Sequence, residues 1–456
     1  MFDNFDEWAD QRLSGLPAAS LVVAVAEHGE TVFGAARGWA DHATSRLATL
    51  DTPYLLASVT KSLTSVALLR AAQRVDLSLD EPVANWSDVL PLEASVRGRG
   101  PTIRQLLRHT SGLPTYFDFF YDGIDSKRTF RETASQYGLL ESKPGEIFRY
   151  SNLGFAYVDA LSEAALGRTT ARLIEDEIFA PLAFSSGHVG PLYPSPELPA
   201  VRYSASGLAY PNYDTTHRGA SLAWGSALDL LRFAESLRVH GRSLDEAETA
   251  DLLAVDQAAP SYGLGVRISH SRRGAAFGHF GSMGGCASAI FTAPKLGVSA
   301  VALSNSTAGE AAVREAMAAI FGGDVGNSPD RRSADGTELD PYCGSWHGTV
   351  WSKHGGIPAA LMIARATGIQ ISIASGPFIP VLASPREAGA VIAGSARLTL
   401  PTADALVRSP RVQISLRTVD VDQLSGTVAA SSAGEGEGSP WIGNHLPYRA
   451  QFRRST

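Results

Sequence analysis

The chain has 456 residues, which is long for one domain and sufficient for two. Hydrophobic residues make up 44% of it and charged residues 19%, a balance typical of a globular protein with a sizeable core and not of a disordered chain. The 39 basic and 46 acidic side chains give a net charge of −7 without a basic run, so we expect no nucleic-acid partner.

The first predicted elements are two strands, residues 21–27 and 31–37, joined by a tight turn. Downstream, apolar residues recur at helical spacing from Val59 to Leu69. This pattern predicts a helix that begins close to Ser58.

The middle of the chain, from Ile103 to about Gly190, alternates helical patterns with Gly and Pro breaks, and we expect it to form an inserted helical lobe. Strand patterns return over residues 277–305, and residues 310–321 have the period of a helix. Strands at both ends with helices between them predict an α/β fold, in which one mixed sheet takes its edges from opposite ends of the chain.

Residues 326–337 are rich in Gly, Pro, Asp and Arg and have no apolar period, which is typical of a linker. Beyond it, residues 338–456 contain short alternating apolar runs and few helical patterns. Two domains are therefore predicted: residues 1–325, with the sheet and the helical lobe, and residues 338–456, a small antiparallel β domain or barrel.

The N-terminal twenty residues carry acidic side chains where a secretory signal has a basic start and an apolar stretch, and no run of about 18 apolar residues occurs. The two cysteines, Cys286 and Cys343, are far apart in sequence, and two cysteines do not build a disulfide framework. These features predict a cytoplasmic protein with no membrane partner.

Ser58 and Lys61 are the first residues that indicate chemistry. Ser58 is the only serine in the chain with a lysine three positions later. Residues three apart share one face of a helix, so the Lys61 amine can lie against the Ser58 hydroxyl. A serine hydroxyl is a poor nucleophile until a neighbouring base takes its proton, and a desolvated lysine can do so. The alternative is an unreactive pair on an amphipathic helix.

Two further groups are candidates for the same site. Tyr150 follows a turn and precedes a helical run, so it can serve as a second proton-transfer group, with a pKa lowered by the nearby lysine. Asn152 can bind both the lysine and a substrate amide. His279 and Gly281 open the strand predicted over the following residues, where the histidine can point at the serine and the glycine lets the backbone approach a substrate. In isolation, each of these residues has a common structural explanation.

The order of these motifs is specific. Residues 58–61 (SVTK), 150–152 (YSN) and 279–281 (HFG) resemble the SxxK, YxN and K/HxG motifs of the penicillin-recognising serine hydrolase superfamily. That superfamily includes class C β-lactamases, D,D-peptidases, D-aminopeptidases, esterases and penicillin-binding-protein-type thioesterases.

Other segments extend the resemblance. Residues 106–113 (LLRHTSGL) and 178–182 (IFAPL) are similar to two further segments of the family, with Ala183 in place of its usual glycine, and the likeness covers roughly residues 18–322. Residues 342–346 (YCGSW) resemble the opening of lipocalin-like domains attached to some members. The implied architecture is a serine β-lactamase/D,D-peptidase-like domain followed by a lipocalin-like antiparallel β-barrel.

The resemblance implies a role for each motif residue. Ser58 would be the nucleophile. Lys61 and Tyr150 would share the general-base and general-acid work, and Asn152 would orient them. His279 stands where β-lactamases have a lysine, as in several peptidase and esterase relatives.

The resemblance also places the backbone N–H groups of Ser58 and Ser282 as the oxyanion hole, with Gly281 beside the substrate. By the same resemblance His109 is structural and ties a helix to a loop. In the C-terminal stretch, which is rich in aromatic residues and arginines, Arg449 is predicted to bind a substrate carboxylate or carbonyl. The alternative for Arg449 is a solvated basic strand end.

The family resemblance implies acyl-enzyme chemistry, but it does not identify the acyl donor or the acyl acceptor. One interpretation is a hydrolase of amides or esters, acting on peptidyl substrates that include D-configured ones. Another is a penicillin-binding-protein-type thioesterase that takes a peptide from a carrier protein and cyclises or releases it. A β-lactamase is disfavoured by His279 and the missing export signal, and an inactive binding protein is disfavoured by the intact motifs.

The expected partners are therefore a small-molecule or peptidyl substrate and, for the thioesterase, a carrier protein. The sequence indicates no cofactor and no metal site. Residues 338–456 are expected to shape the substrate pocket without supplying catalytic groups.

Overall fold

A computed structural model of the chain describes residues 4–16, 18–86, 100–122, 127–239, 243–271, 274–323, 325, 339–383, 390–402, 404, 410–432, 435 and 439–455. The linker predicted at 326–337 lies outside the described residues. The helices are α1 (Phe5–Leu13), α2 (Thr60–Arg74), α3 (Ile103–Leu107), α4 (Phe130–Tyr137), α5 (Asn152–Leu166), α6 (Thr170–Ile174), α7 (Arg218–Ser221), α8 (Ala227–Arg238), α9 (Glu246–Leu253) and α10 (Glu310–Phe321). Of the helices in these described ranges, none has the length and hydropathy needed to cross a membrane.

The strands of the first 304 residues are β1 (Ser20–Glu27), β2 (Glu30–Asp41), β3 (Arg46–Leu47), β4 (Tyr54–Leu55), β5 (Phe120–Tyr121), β6 (His188–Val189), β7 (Tyr213–Asp214), β8 (Ala223–Gly225), β9 (Arg267–Ser271), β10 (Gly274–Met283), β11 (Cys286–Ala293) and β12 (Val298–Ser304). Seven of them form the main sheet, in the order β3-β2-β1-β12-β11-β10-β9. The sequence predicts a mixed sheet. In the structure, each neighbouring pair of strands in the main sheet is antiparallel.

Both faces of the main sheet are covered. In β1, alternate residues belong to different apolar clusters: Leu21 and Val23 pack with α10, whereas Val22 and Ala24 pack with the helical lobe and α8. A strand buried on both faces has no polar side, which explains why β1 reads as one apolar run.

The N-terminal hairpin, the helix after Ser58 and the helix over 310–321 are confirmed as β1–β2, α2 and α10. The strand assignment around His279 is corrected. His279 does not open the strand that follows it but lies inside β10, which forms a hairpin with β11. Three glycines among residues 274–281 weaken the strand pattern there.

The described residues after 338 contain nine strands: β13 (Gly344–Ser352), β14 (Gly355–Ala364), β15 (Gly368–Ile373), β16 (Ile379–Pro380), β17 (Leu382–Ala383), β18 (Ile392–Ala396), β19 (Arg411–Asp420), β20 (Gln423–Ser431) and β21 (His445–Arg454). They form one sheet in the order β16-β15-β14-β13-β21-β20-β19-β18-β17. The two edge strands, β16 and β17, are separated in sequence only by Val381, so the sheet curls until its edges nearly meet. The predicted antiparallel, barrel-like sheet is confirmed, and the predicted domain bounds stay a prediction.

Candidate active site

Ser58 lies in a 3-10 turn, Ala57–Val59, that leads directly into α2. Ala57 has φ +46°, a left-handed conformation that is uncommon for a residue with a side chain. The turn is held from both sides: the Leu56 N–H donates to Ala223 O at 2.8 Å, and the Ser288 hydroxyl donates to Leu56 O at 2.6 Å. These contacts fix the Ser58 hydroxyl at the beginning of α2.

Lys61 lies one turn along α2 and is fully buried. Its Nζ is 3.1 Å from Ser58 Oγ and 3.1 Å from Ala220 O. Burial, and next the positive charge of Arg267, hold the pKa of Lys61 well below its usual range. An amine in this environment can exist uncharged, as a general base requires.

Tyr150 approaches the same serine from the loop before α5. Its hydroxyl forms a hydrogen bond with the Ser58 side chain, and Lys61 Nζ lies 4.8 Å from the centre of its ring. The prediction that the pKa of Tyr150 is lowered is wrong. Burial raises the pKa of Tyr150 to about 12 and outweighs the opposing hydrogen bond from Ser58 and charge of Arg267.

His109 holds Tyr150 through the two neighbouring residues. The Arg149 N–H donates to His109 O at 2.7 Å, the Ser151 N–H donates to His109 Nδ1 at 3.2 Å, and the His109 and Tyr150 ring centres are 4.3 Å apart. Burial, and next the charge of Lys61, keep the pKa of His109 well below its usual range, so the ring is neutral and Nδ1 can accept. His109 therefore fixes the backbone that carries Tyr150.

Asn152 is the first residue of α5, after the Ser151 side chain that caps the helix. Within the described parts of the chain, Asn152 Oδ1 has no hydrogen-bond partner. The expected contact with Lys61 is not formed through this oxygen, since the Lys61 amine bonds Ser58 and Ala220 instead.

His279 lies at the far side of Tyr150, with 6.1 Å between the ring centres. Its Nε2 is 2.9 Å from the Tyr262 hydroxyl, and its Nδ1 bonds the carbonyl of Phe280. Burial, followed by the charges of Arg267 and Lys61, keeps the pKa of His279 well below its usual range. His279 thus contributes a neutral ring that is bonded to Tyr262.

Gly281 brings β10 against the serine turn. A Cβ at this position would lie 2.3 Å from Leu56 O and 3.0 Å from Ser58 N. Only glycine fits this approach without a shift of backbone. Ser282 follows directly, so the two N–H groups predicted as an oxyanion hole, those of Ser58 and Ser282, belong to neighbouring segments.

Arg449 is not brought to this site. It lies on the wall of a cavity of about 320 Å³ near Glu141, Glu146 and Arg417, and Ser58 is not among the residues that line that cavity. Its predicted role in substrate binding stays a prediction.

Sequence reasoning missed Arg267 and Tyr262. The Arg267 guanidinium carbon is 5.9 Å from the ring centre of Tyr150 and 5.8 Å from that of Tyr262. The sequence carries one positional signal: Arg267 comes two residues after the Tyr-Gly-Leu-Gly segment at 262–265, which shortly precedes the His279 motif.

An aromatic cluster covers the other side of the serine turn. Buried side chains that share one apolar cluster there are Leu55, Ala57, Phe119, Tyr121, Tyr210, Tyr213, Leu222, Trp224, Met283 and Cys286. The C-terminal region reaches this cluster: Trp441 packs 4.8 Å from Tyr210, and the Tyr121 hydroxyl donates to Ile442 O at 2.7 Å.

The beta-lactamase family model matches residues 5–323 of the chain. The chain belongs to the beta-lactamase family. The match confirms the family resemblance and the fold class inferred from the sequence, and it spans every candidate site residue except Arg449.

Named relatives include hydrolases of two kinds. Esterase EstB of Burkholderia gladioli is 31% identical over 309 residues, which are 56% of this chain and 76% of EstB. D-aminopeptidase of Brucella anthropi is 34% identical over 166 residues, which are 35% of this chain but only 31% of that protein.

The fold is shared beyond the matched region. The crystal structure of SurE with D-Leu has a TM-score of 0.63 and 22% identity, and the alignment covers 92% of this chain and 96% of SurE. At this identity the likeness shows a common fold that includes the C-terminal strands.

Proposed function

We propose that this member of the beta-lactamase family is a serine hydrolase that forms an acyl-enzyme at Ser58 with ester and amide substrates, peptidyl ones included. The observation that carries the proposal is the convergence on Ser58 Oγ of Lys61 Nζ, at 3.1 Å, and the Tyr150 hydroxyl. The names of EstB and the D-aminopeptidase, an esterase and a peptidase, support these two substrate classes.

The opposite pKa shifts of Lys61 and Tyr150 favour different proton-transfer roles for the two residues. Lys61, whose pKa is lowered mainly by burial, is the base that takes the Ser58 proton as Oγ attacks the substrate carbonyl. The carbonyl oxygen becomes an oxyanion, which the N–H groups of Ser58 and Ser282 are proposed to bind.

Tyr150, whose pKa of about 12 keeps it protonated at neutral pH, is the acid for the leaving group. Collapse of the tetrahedral intermediate breaks the bond to the leaving oxygen or nitrogen, which takes the Tyr150 proton. Lys61 then returns its proton to Tyr150, and water or an amine attacks the acyl-enzyme by the reverse sequence. Asn152 Oδ1, which has no partner among the described residues, is free to accept a substrate N–H.

For residues 338–456 we propose a role in shaping the pocket. The support is the contact of Trp441 and Ile442 with the aromatic cluster that also contains Ala57, next to the nucleophile. In this proposal the C-terminal region narrows the space for long substrates and supplies no group to proton transfer.

The test is a panel of matched D- and L-aminoacyl 4-nitrophenyl esters, anilides and thioesters, followed by product mass with and without an added amine. Hydrolysis of the esters or the anilides, with a burst of one equivalent of nitrophenol from the esters, supports the proposal. Transfer to the amine with little hydrolysis would favour the thioesterase alternative. No turnover of any member would contradict the proposed function.

A further inference from the structure

A buried ion pair links the residue before Tyr150 to the C-terminal sheet. Arg149 Nε lies 2.8 Å from Glu141 Oε2, and the two side chains are 4% and 3% exposed, so both charges are removed from solvent. The other carboxylate oxygen, Glu141 Oε1, accepts a hydrogen bond from the hydroxyl of Thr427 on β20, which is also buried. One oxygen of this carboxylate therefore contacts the segment that carries Tyr150, and the other contacts the C-terminal sheet.

Both partners of the ion pair are bonded to the loop that follows α3. The Arg149 N–H donates to His109 O at 2.7 Å, and the Glu141 N–H donates to Gly112 O at 2.8 Å. A Cβ on Gly112 would lie 2.3 Å from Ser142 O, so residues 141–142 pack directly against this loop. The backbone on either side of the ion pair is thus fixed, and the carboxylate and guanidinium hold the remaining side of the segment before Tyr150.

The C-terminal sheet is also bonded to the catalytic region beside Thr427. β20 pairs with β21, and Ser431 at the end of β20 lies opposite His445 at the start of β21. The His445 N–H donates to Phe117 O at 2.9 Å, and the Phe117 N–H donates to His445 O at 3.2 Å. The charge of Arg149 is, after burial, a cause of the low pKa of His445, so this attachment adjoins the ion pair. Backbone bonds therefore place the sheet that presents Thr427 to Glu141.

The link between Thr427 and Tyr150 has a chemical consequence. A buried carboxylate costs free energy unless hydrogen bonds and an opposite charge compensate it, so loss of the Thr427 hydroxyl favours a shift of Glu141 toward other donors. Arg149 follows its partner, and Tyr150 is the next residue. Misplacement of a proton-transfer group by about 1 Å can lower a rate by about 100-fold.

We propose that Thr427 is a positioning residue, whose hydroxyl acts through Glu141 and Arg149 to hold Tyr150 in place for proton transfer to the leaving group. Thr427 itself exchanges no proton with the substrate. The C-terminal sheet then contributes to acylation of Ser58 even by substrates too small to contact it. This inference rests on the proposed function, in which Tyr150 is the acid for the leaving group.

Two esters of one aminoacyl group separate proton transfer by Tyr150 from other losses. Ethoxide is strongly basic and leaves as ethanol, with the proton of Tyr150, whereas 4-nitrophenolate is weakly basic and leaves without one. The readout is kcat/KM for the 4-nitrophenyl ester divided by kcat/KM for the ethyl ester. This ratio reports acylation of Ser58 whichever step limits kcat, and a misplaced Tyr150 raises it.

Matched substitutions at Thr427 test the hydroxyl alone. Thr427→Val keeps the shape of the side chain without the hydroxyl, and we expect it to raise the ratio about tenfold, mainly through a lower kcat/KM for the ethyl ester. Thr427→Ser retains the hydroxyl and should keep the ratio of the wild type. Thr349→Val, the same change on β13 of the same sheet, is the control and should leave the ratio unchanged.

Glu141→Gln tests the middle of the link. It removes the charge that pairs with Arg149 and should raise the ratio at least as much as Thr427→Val does. The double variant should match Glu141→Gln alone, because both changes interrupt the same set of contacts. Urea unfolding of each variant measures its stability separately, since a contact with a purely structural role would lower stability without changing the ratio.

An unchanged ratio in Thr427→Val overturns the proposal, whether or not Glu141→Gln folds. Equal, raised ratios in Thr427→Ser and Thr427→Val overturn it as well, because the hydroxyl would not be the cause. In both cases the esters are still hydrolysed, so the proposed function stands. Hydrolysis of the 4-nitrophenyl ester alone by the wild type would contradict the role of Tyr150 as the acid, and this proposal with it. If the wild type hydrolyses neither ester, the proposed function and the positioning role both fail.

Discussion

The region around Ser58 and the C-terminal sheet differ in the kind of side chain that they remove from solvent. Near the serine, the side chains of Lys61, His109 and His279 are buried and that of Tyr150 is half-buried. Desolvation is the main cause that moves the pKa of each. In β14 of the C-terminal sheet, buried and exposed residues alternate with the pleat. Buried polar groups cost free energy unless they are bonded, so the first region depends on its hydrogen bonds and the second on apolar packing.

The largest expected effect is the loss of activity in Lys61→Ala and Tyr150→Phe, near the serine. Each change should lower kcat by about 10³-fold, and the double variant should be little worse than either, because the two groups pass one proton as a unit. Steady-state ester kinetics measure all three variants, and unfolding by urea checks that they remain folded. Losses that multiply in the double variant would show that the two groups act independently.

In the C-terminal sheet the expected loss is in stability. Trp346 is fully buried, and Trp346→Ala should lower the free energy of unfolding by about 3 to 5 kcal/mol. Its matched control is Trp351 on the same strand, which is 49% exposed, and Trp351→Ala should cost less than about 1 kcal/mol. Urea unfolding measures both. If Trp346→Ala remained as stable as Trp351→Ala, the packing account of this sheet would be wrong.

Substitution of His109 tests whether a buried polar group near the serine raises kcat by holding the backbone around Tyr150 in place. His109→Phe removes the acceptor for the Ser151 N–H and should lower kcat about tenfold or more with little change in KM. His109→Asn should restore much of kcat, since its side-chain oxygen can accept and asparagine tolerates the φ of +61°. A loss of stability in both variants with unchanged kcat would make His109 purely structural.

The motifs could be predicted from the sequence because their chemistry is local. Ser58 and Lys61 share a helix face by spacing alone. The direction of the Tyr150 pKa could not be predicted, because it depends on how deeply tertiary packing buries the ring. Likewise, the proximity of Arg267 to the rings of Tyr150 and Tyr262 depends on the pairing of β9 with β10, and the composition of the C-terminal stretch carries no information on the distance of Arg449 from Ser58.

The smallest effect is expected at the contact between the two regions. Burial, followed by the charge of Arg149, lowers the pKa of His445 on β21 to about 4. In the unfolded chain the pKa is about 6.5, so the unfolded state binds more protons between these values. The stability contribution of neutral His445 is therefore complete above about pH 6.5 and is lost as the pH falls through the folded-state value.

His445→Gln should reduce the loss of unfolding free energy between pH 7 and pH 5 by about 1 to 2 kcal/mol. His347→Gln, which removes an exposed histidine of β13, is the control and should leave the pH dependence of the wild type. Identical pH profiles for His445→Gln and the wild type would mean that His445 does not titrate between these states.

The most direct test of the central claim, that Ser58 is the acylated nucleophile, is peptide mapping by mass spectrometry after treatment with a fluorophosphonate. We expect one adduct, on the peptide that contains Ser58, and none in Ser58→Ala, whose ester hydrolysis should fall by about 10³-fold or more. An adduct on another residue, or wild-type turnover by Ser58→Ala, would contradict the account.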